Sequence, residues 1–187
     1  MLFYLETERL ILRDLLPEDD IGMFRLDSDP RVHTYLGNQP LQHIEQAQAV
    51  IDMVRQQYQD FGIGRWAVIE KASGDFIGWS GLKWIHTEVY GRNHFYDVGY
   101  RLIPQYWGKG YATESCRAAL AYGFTQLPIQ EVIGIAHIDN HASRRALEKS
   151  GLTHSHTFYF EQWALHCDWF SLLKTNWEQQ QKKHPEN

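Results

Sequence analysis

The segment from Asp97 to Glu114, Asp-Val-Gly-Tyr-Arg-Leu-Ile-Pro-Gln-Tyr-Trp-Gly-Lys-Gly-Tyr-Ala-Thr-Glu, constrains the fold more than any other stretch of this chain. A β-rich run from His94 to Ile103 stops at Pro104, two glycines follow at Gly108 and Gly110, and a helical pattern begins at about Ala112. Cys116, Ala119, Leu120 and Phe124 fall on one face of that helix. A strand that passes through a glycine loop into a helix gathers unpaired backbone N–H groups and the positive end of a helix dipole at one point. Such a point suits a phosphate or pyrophosphate, and glycine lets the chain turn tightly and the anion come close. A P-loop is excluded, because no Gly-Lys-Ser/Thr follows a first glycine at the required spacing; a dinucleotide fingerprint would need Gly or Ala where Thr113 stands. Taken alone, the loop would serve equally well as a plain strand–turn–helix connection.

The rest of the chain supplies the partners that such a unit needs. Leu10 to Asp14 reads as a first strand, and Pro17 followed by Glu18, Asp19 and Asp20 as a helix start. Between Leu41 and Tyr58, Ile44, Ala47, Ile51, Val54 and Tyr58 form one stripe of an amphipathic helix. Arg65 to Glu70, the turn Ser73-Gly74-Asp75 and Phe76 to Trp84 read as a hairpin, and residues 85–93 as a loop. After the helix at Ala112 come a strand over Val132 to His137, a short helix through Ala142, Ala146 and Lys149 stopped by Gly151, and one or two strands between Phe158 and Trp169. This order predicts an α/β fold, a mixed sheet with helices on its faces, in one domain over residues 1–178, with a polar, frayed tail over 179–187.

Charge and cysteine content narrow the function. Lys and Arg number 18 against 23 Asp and Glu, a formal net charge of −5, so nothing suggests a nucleic-acid partner. No stretch approaches the length of a membrane span, and the start of the chain is acidic where a signal peptide would be apolar, so a cytoplasmic protein is expected. Cys116 and Cys167 stand far apart and are expected to be free thiols. The histidines His137, His141, His154, His156 and His166 cluster late in the chain without any zinc-ligand spacing, so no metal is expected. The rings of Phe158, Tyr159, Phe160 and Trp163 read as core, with some bordering a cleft.

Three motifs together resemble the GCN5-related N-acetyltransferase (GNAT) superfamily, and within it the ribosomal-protein, RimJ/RimL-like branch. Trp107-Gly108-Lys109-Gly110-Tyr111-Ala112-Thr113-Glu114 is similar to that branch's Trp-Gly-x-Gly-Tyr-Ala-Thr-Glu. His137 to Ser143 followed by Leu147-Glu148-Lys149-Ser150-Gly151-Leu152 resembles the family's Asn-x-x-Ser/Ala…Glu-Lys-x-Gly-Phe segment, and Thr7 to Arg13 its opening strand. The resemblance spans about residues 5–175. It implies a mostly antiparallel central sheet with helices on both faces, and acetyl-CoA as co-substrate.

The resemblance also implies roles. The diphosphate would lie on the amides of Trp107, Gly108, Lys109, Gly110, Tyr111, Ala112 and Thr113. The pantetheine arm would meet the backbone of Leu102 and Ile103, and Asn140. Asp97, on the strand where other members carry a glutamate, and Glu161, near where the branch places an acid, are the candidate bases. Many members use a Tyr seven residues after the Asn as the acid for the departing thiolate; here that place holds Leu147, which leaves Ser143 beside the sulfur. The bland alternatives are an ion pair for Asp97, a solvent-facing residue for Glu161 and a helix-capping hydroxyl for Ser143. The expected acceptor is an amine, either a protein N-terminus or a small molecule such as a polyamine, amino acid or antibiotic, and the expected assembly a monomer or homodimer. An acyl-CoA-binding module without catalysis is the competing class.

Overall fold

The computed structural model describes residues 3–161 and 164–183. Among them, eight strands form one sheet in the order β1-β2-β3-β4-β5-β6-β8-β7. In chain order the elements are β1 (Tyr4–Glu6), β2 (Leu10–Arg13), α1 (Asp20–Asp27), α2 (Pro30–His33), α3 (Ile44–Phe61), β3 (Arg65–Glu70), β4 (Phe76–Ile85), β5 (Phe95–Leu102), α4 (Tyr111–Gln126), β6 (Glu131–His137), α5 (His141–Lys149), β7 (Thr153–Phe160), β8 (Leu165–Leu173) and α6 (Lys174–Lys183). Every neighbouring pair is antiparallel except β5–β6. The sheet is therefore mixed and mostly antiparallel, as expected.

Side-chain alternation along β5 separates the two faces of the sheet. Tyr100 reaches α5 on one face, where α4 also packs; Arg101 reaches Asp27 at the end of α1 on the other. The stripe foreseen on α4 is the buried one: Cys116, Ala119, Leu120 and Phe124 are all 0–1% exposed. Burying a Leu or Phe side chain fully contributes about 1.5–3 kcal/mol, so this stripe alone fixes the rotation of α4 over β4 and β5. On α3, Ala47, Ile51 and Val54 are buried, and the chain leaves the helix through Gly62 in a left-handed conformation, φ +68°.

Three features depart from the expected outline. β1 and the four-residue α2 were not foreseen; each is too short to show a hydrophobic period. β7 begins at Thr153 rather than near Phe158, because its outward residues are polar and only Phe158 is buried. The segment expected to fray from Gln179 is helical as far as Lys183, and Gln180 Nε2 donates to the carbonyl of Gly151.

Pairing between β5 and β6 positions the site. It is confined to Tyr96↔Val132 and Asp97↔Ile133, although β5 runs on to Leu102 and β6 to His137. β5 stays paired with β4 as far as Gly78↔Leu102, and β6 with β8 as far as His137↔Cys167. The two parallel strands thus share only their first residues and diverge, leaving the β6-facing backbone of residues 98–102 unpaired with β6.

Candidate active site

The divergence opens onto the glycine loop. A 3-10 turn at Pro104–Tyr106 leads to Trp107, whose indole Nε1 donates to the carbonyl of Leu102 at 2.6 Å and ties the loop back to β5. Gly108 (φ +74°) and Gly110 (φ +85°) both occupy the left-handed region, where a side chain would be strained, and Gly110 caps the start of α4. Tyr111 is buried and its hydroxyl donates to Glu70, whereas Ala112 and Thr113 are half-buried in the first turn. Lys109 is exposed, with its ammonium 5.0 Å from the centre of the Tyr106 ring. The amides of the first turn of α4 have no intrahelical partners, so the loop and the helix dipole together fit a diphosphate.

The two backbone positions assigned to the pantetheine arm behave differently. The Ile103 N–H donates to the carbonyl of Ile77 on β4 at 2.9 Å, so it is already committed. Amides alternate in direction along a strand, so Leu102 and Tyr100 turn theirs toward the gap. The Leu102 amide faces the gap; for Ile103 the correction is that its amide belongs to the sheet and its side chain to the core, at 4% exposed.

On the far lip of the gap stands the start of α5. Asn140 Oδ1 accepts the Ser143 N–H at 3.1 Å, so Asn140 is the cap of the helix and Ser143 is not. Ser143 is held differently: its carbonyl accepts the Tyr100 hydroxyl at 2.7 Å, and its own Oγ lies 3.4 Å from that hydroxyl. Tyr100 therefore spans the gap from β5 to α5. Burial keeps its hydroxyl well above the ordinary tyrosine range, so it stays protonated. Leu147 is 1% exposed, and its methyl groups fill the space that a Cβ on Gly134 would need, at 2.7 Å. The position at which the resemblance implies a Tyr acid is core here.

Asp97 lies on the opposite face of β5, where Arg65 of β3 reaches it across β4. One Arg65 nitrogen pairs with the Asp97 carboxylate, and another donates to the carbonyls of Asp97 and Gly81. A Cβ on Gly99 would lie 2.7 Å from the guanidinium, so glycine is what lets Arg65 pass. Burial pushes the Asp97 carboxyl up and Arg65 pulls it back, with the net direction upward; burial also pushes its cross-strand neighbour Lys83 down, aided by Arg65. Nearer the mouth of the gap, Arg101 pairs with Asp27 at 2.6 Å, His33 lies 3.8 Å from the same carboxylate, and the rings of Tyr35 and His137 meet at 5.2 Å.

Glu161 does not join Asp97. One row across the sheet runs Lys83, Asp97, Ile133, Ser171, Thr153. Glu161 lies eight residues beyond Thr153, about 25 Å along the strand direction, and is exposed. The late rings divide: Phe158 is buried with Phe95 and Trp169, Tyr159 is 49% exposed, and Trp163 lies outside the described residues. Among the described residues no group of three or more His, Cys, Asp and Glu could hold a metal ion; His154 instead pairs with Asp168 at 3.2 Å, and His156 stacks on Trp169.

Sequence reasoning gave no role to Arg65, Tyr100 or Arg9. Arg65 had one signal, a lone cation opening the apolar run Trp66 to Ile69; the other two had only their place inside motifs.

Comparison with known proteins supplies the family. The acetyltransferase (GNAT) domain family matches residues 9–153. An uncharacterized N-acetyltransferase of Bacillus subtilis, YoaA, is 31% identical over 147 residues, covering 79% of this chain and 81% of its own. Among solved structures, the ribosomal-protein-S5-alanine acetyltransferase of Vibrio fischeri superposes with a TM-score of 0.74 at 15% identity, over 94% of this chain and 98% of that one. The spermidine N-acetyltransferase of Vibrio cholerae, solved with CoA and spermine, gives 0.72 at 18%, over 92% and 99%. The divergent β5–β6 pair, the glycine loop at the head of α4 and the family match agree: this chain belongs to the GNAT acetyltransferase family and is an acetyl-CoA-dependent N-acetyltransferase.

Proposed function

We propose that the acceptor is a peptide N-terminal α-amine, as in the ribosomal-protein branch, and that the protein works in the cytoplasm, where its two buried cysteines stay free. The observation that carries the acceptor reading is the state of Asp97. Its carboxylate is paired with Arg65, so it is not free to bind a cationic amine, while burial leaves it a better proton acceptor than an ordinary carboxylate, enough for an amine that needs little help. An α-amine has a reference pKa of about 8, a lysine amine about 10.4, so the neutral nucleophile is some hundredfold more available from the former at neutral pH. Asp27 is likewise committed to Arg101. A polyamine would find neither of these carboxylates free to receive its charges.

In this reading the donor diphosphate rests on the amides of residues 107–113, and the Leu102 N–H faces the pantetheine arm. The amine nitrogen attacks the thioester carbonyl carbon, the C–S bond breaks with its electron pair passing to sulfur, and the amine proton leaves toward Asp97 through water. Ser143, held by Tyr100, lies beside the departing sulfur. A thiol of pKa about 8.5 leaves tolerably as a thiolate, so the loss of a Tyr at 147 is no obstacle to turnover. Glu161 is assigned to the rim and not to the chemistry.

Mass spectrometry of a peptide carrying both a free N-terminus and a lysine tests the acceptor. Acetyl mainly on the α-amine is expected; acetyl mainly on the side chain overturns the ranking, and acetylation of spermidine in preference to either moves the acceptor to small amines.

A further inference from the structure

Two of the sequence motifs, the opening strand and the glycine loop, are joined by one side chain. Arg9 precedes β2, about a hundred residues before the loop in the chain. Its Nε donates to Glu114 Oε2 at 2.7 Å, and its Nη2 lies 2.6 Å from the same oxygen. Its backbone N–H donates to Glu114 Oε1 at 2.9 Å, where the Thr7 hydroxyl also donates. The guanidinium lies 4.5 Å from the centre of the Tyr111 ring. Burial pushes the Glu114 carboxyl up, but the bonds from Thr7 and Arg9 outweigh it and hold the carboxyl below its ordinary range, so it is ionised. The Arg9 carbonyl accepts from the Lys71 N–H at 2.9 Å, which fixes the backbone on its other side. The arginine is thus anchored at its root and along its fork.

The remaining contact reaches the loop itself: Arg9 Nη1 donates to the carbonyl of Lys109 at 2.9 Å. The Lys109–Gly110 peptide is trans and planar, so its C=O and N–H point in opposite directions. Holding the Lys109 carbonyl on Arg9 therefore turns the Gly110 N–H away from Arg9. This matters because Gly108 and Gly110 flank Lys109, and glycine lets a peptide plane rotate at little steric cost. Without a hold on that carbonyl, the loop could present an oxygen where an anion needs a donor.

We infer that Arg9 is a positioning residue for the donor: anchored by Glu114, it locks the Lys109–Gly110 peptide so that the Gly110 N–H faces the diphosphate. The inference rests on the donor reading of the loop given above, and its test separates the two. Calorimetry with CoA is run on the wild type, Arg9→Ala, Arg9→Lys and Glu114→Gln, alongside the Gly110 amide resonance and the KM for each substrate. Arg9→Ala is expected to weaken CoA binding by about tenfold or more, broaden the Gly110 resonance and leave the acceptor KM at saturating acetyl-CoA unchanged. Arg9→Lys keeps the charge but not the fork, so it should recover little of the affinity. If Arg9→Ala does not fold, the nearly isosteric Glu114→Gln is read the same way. Full CoA affinity in folded Arg9→Ala or in Arg9→Lys, or an acceptor KM that rises in step, would overturn the lock. A wild-type protein that does not bind CoA at all would instead sink the donor reading itself.

Discussion

The donor side and the acceptor side of this protein are built in opposite ways. The donor side is mostly contiguous chain: β5 ends, turns through Gly108 and Gly110, and becomes α4 within ten residues of Leu102. Its proposed binding groups are backbone amides, and what the sequence must supply is glycine at the right places. The proposed acceptor side is assembled from α1, α2, β3, β5 and β6, and its character comes from pairings between distant residues, Arg65 with Asp97 and Arg101 with Asp27. A site made of backbone tolerates little change at its glycines. A site made of paired side chains can be retuned one pair at a time, which is how one scaffold comes to serve many acceptors.

The comparison breaks most sharply at Gly110. Gly110→Glu places a side chain at φ +85° and a carboxylate where a diphosphate is expected, so CoA affinity should fall by about a hundredfold or more. Unchanged affinity in a folded variant would mean that the donor does not use this loop.

Asp97→Asn should give a smaller but chemically specific effect. Turnover is expected to fall about a hundredfold at neutral pH, with CoA affinity retained, and to recover partly as pH rises and the amine loses its proton unaided. The variant also leaves Arg65 buried without its counter-charge, so its thermal midpoint should drop. A pH–rate profile that keeps the wild-type shape and height would free Asp97 of any role.

The smallest effect sharpens the boundary between site and core. Leu147→Tyr installs the residue type that the family resemblance implies for an acid, yet Leu147 packs against Gly134 in a filled core. The change should cost about 1–3 kcal/mol in stability and leave turnover no faster. A rise in turnover, read as thiol release from acetyl-CoA, would show that the gap has room for a second hydroxyl.

The same contrast explains what could be read from the chain. The glycine loop and the α4 stripe were legible because each is set by neighbours in sequence, whereas the cap of α5 expected at Ser143 is Asn140. The ion pair that determines what Asp97 can do was not, since Arg65 lies 32 positions away and meets it only because Gly99 on β5 leaves room for the guanidinium, which also donates to the Gly81 carbonyl on β4. Ile103 shows a finer limit. Its side chain reads as core and its motif as ligand-facing, and only the register with β4 reveals which way its amide points. Glu161 looked equivalent to Asp97 as an acid on a strand, and the order of strands parts them.

The most direct test of the account is a titration of CoA into isotopically labelled protein, following backbone amide resonances. The largest shifts are expected at Gly108 to Thr113, Leu102 and Ser143, with Ile103 and the residues near Glu161 little changed. Loop amides that stay in place while shifts gather elsewhere would contradict it.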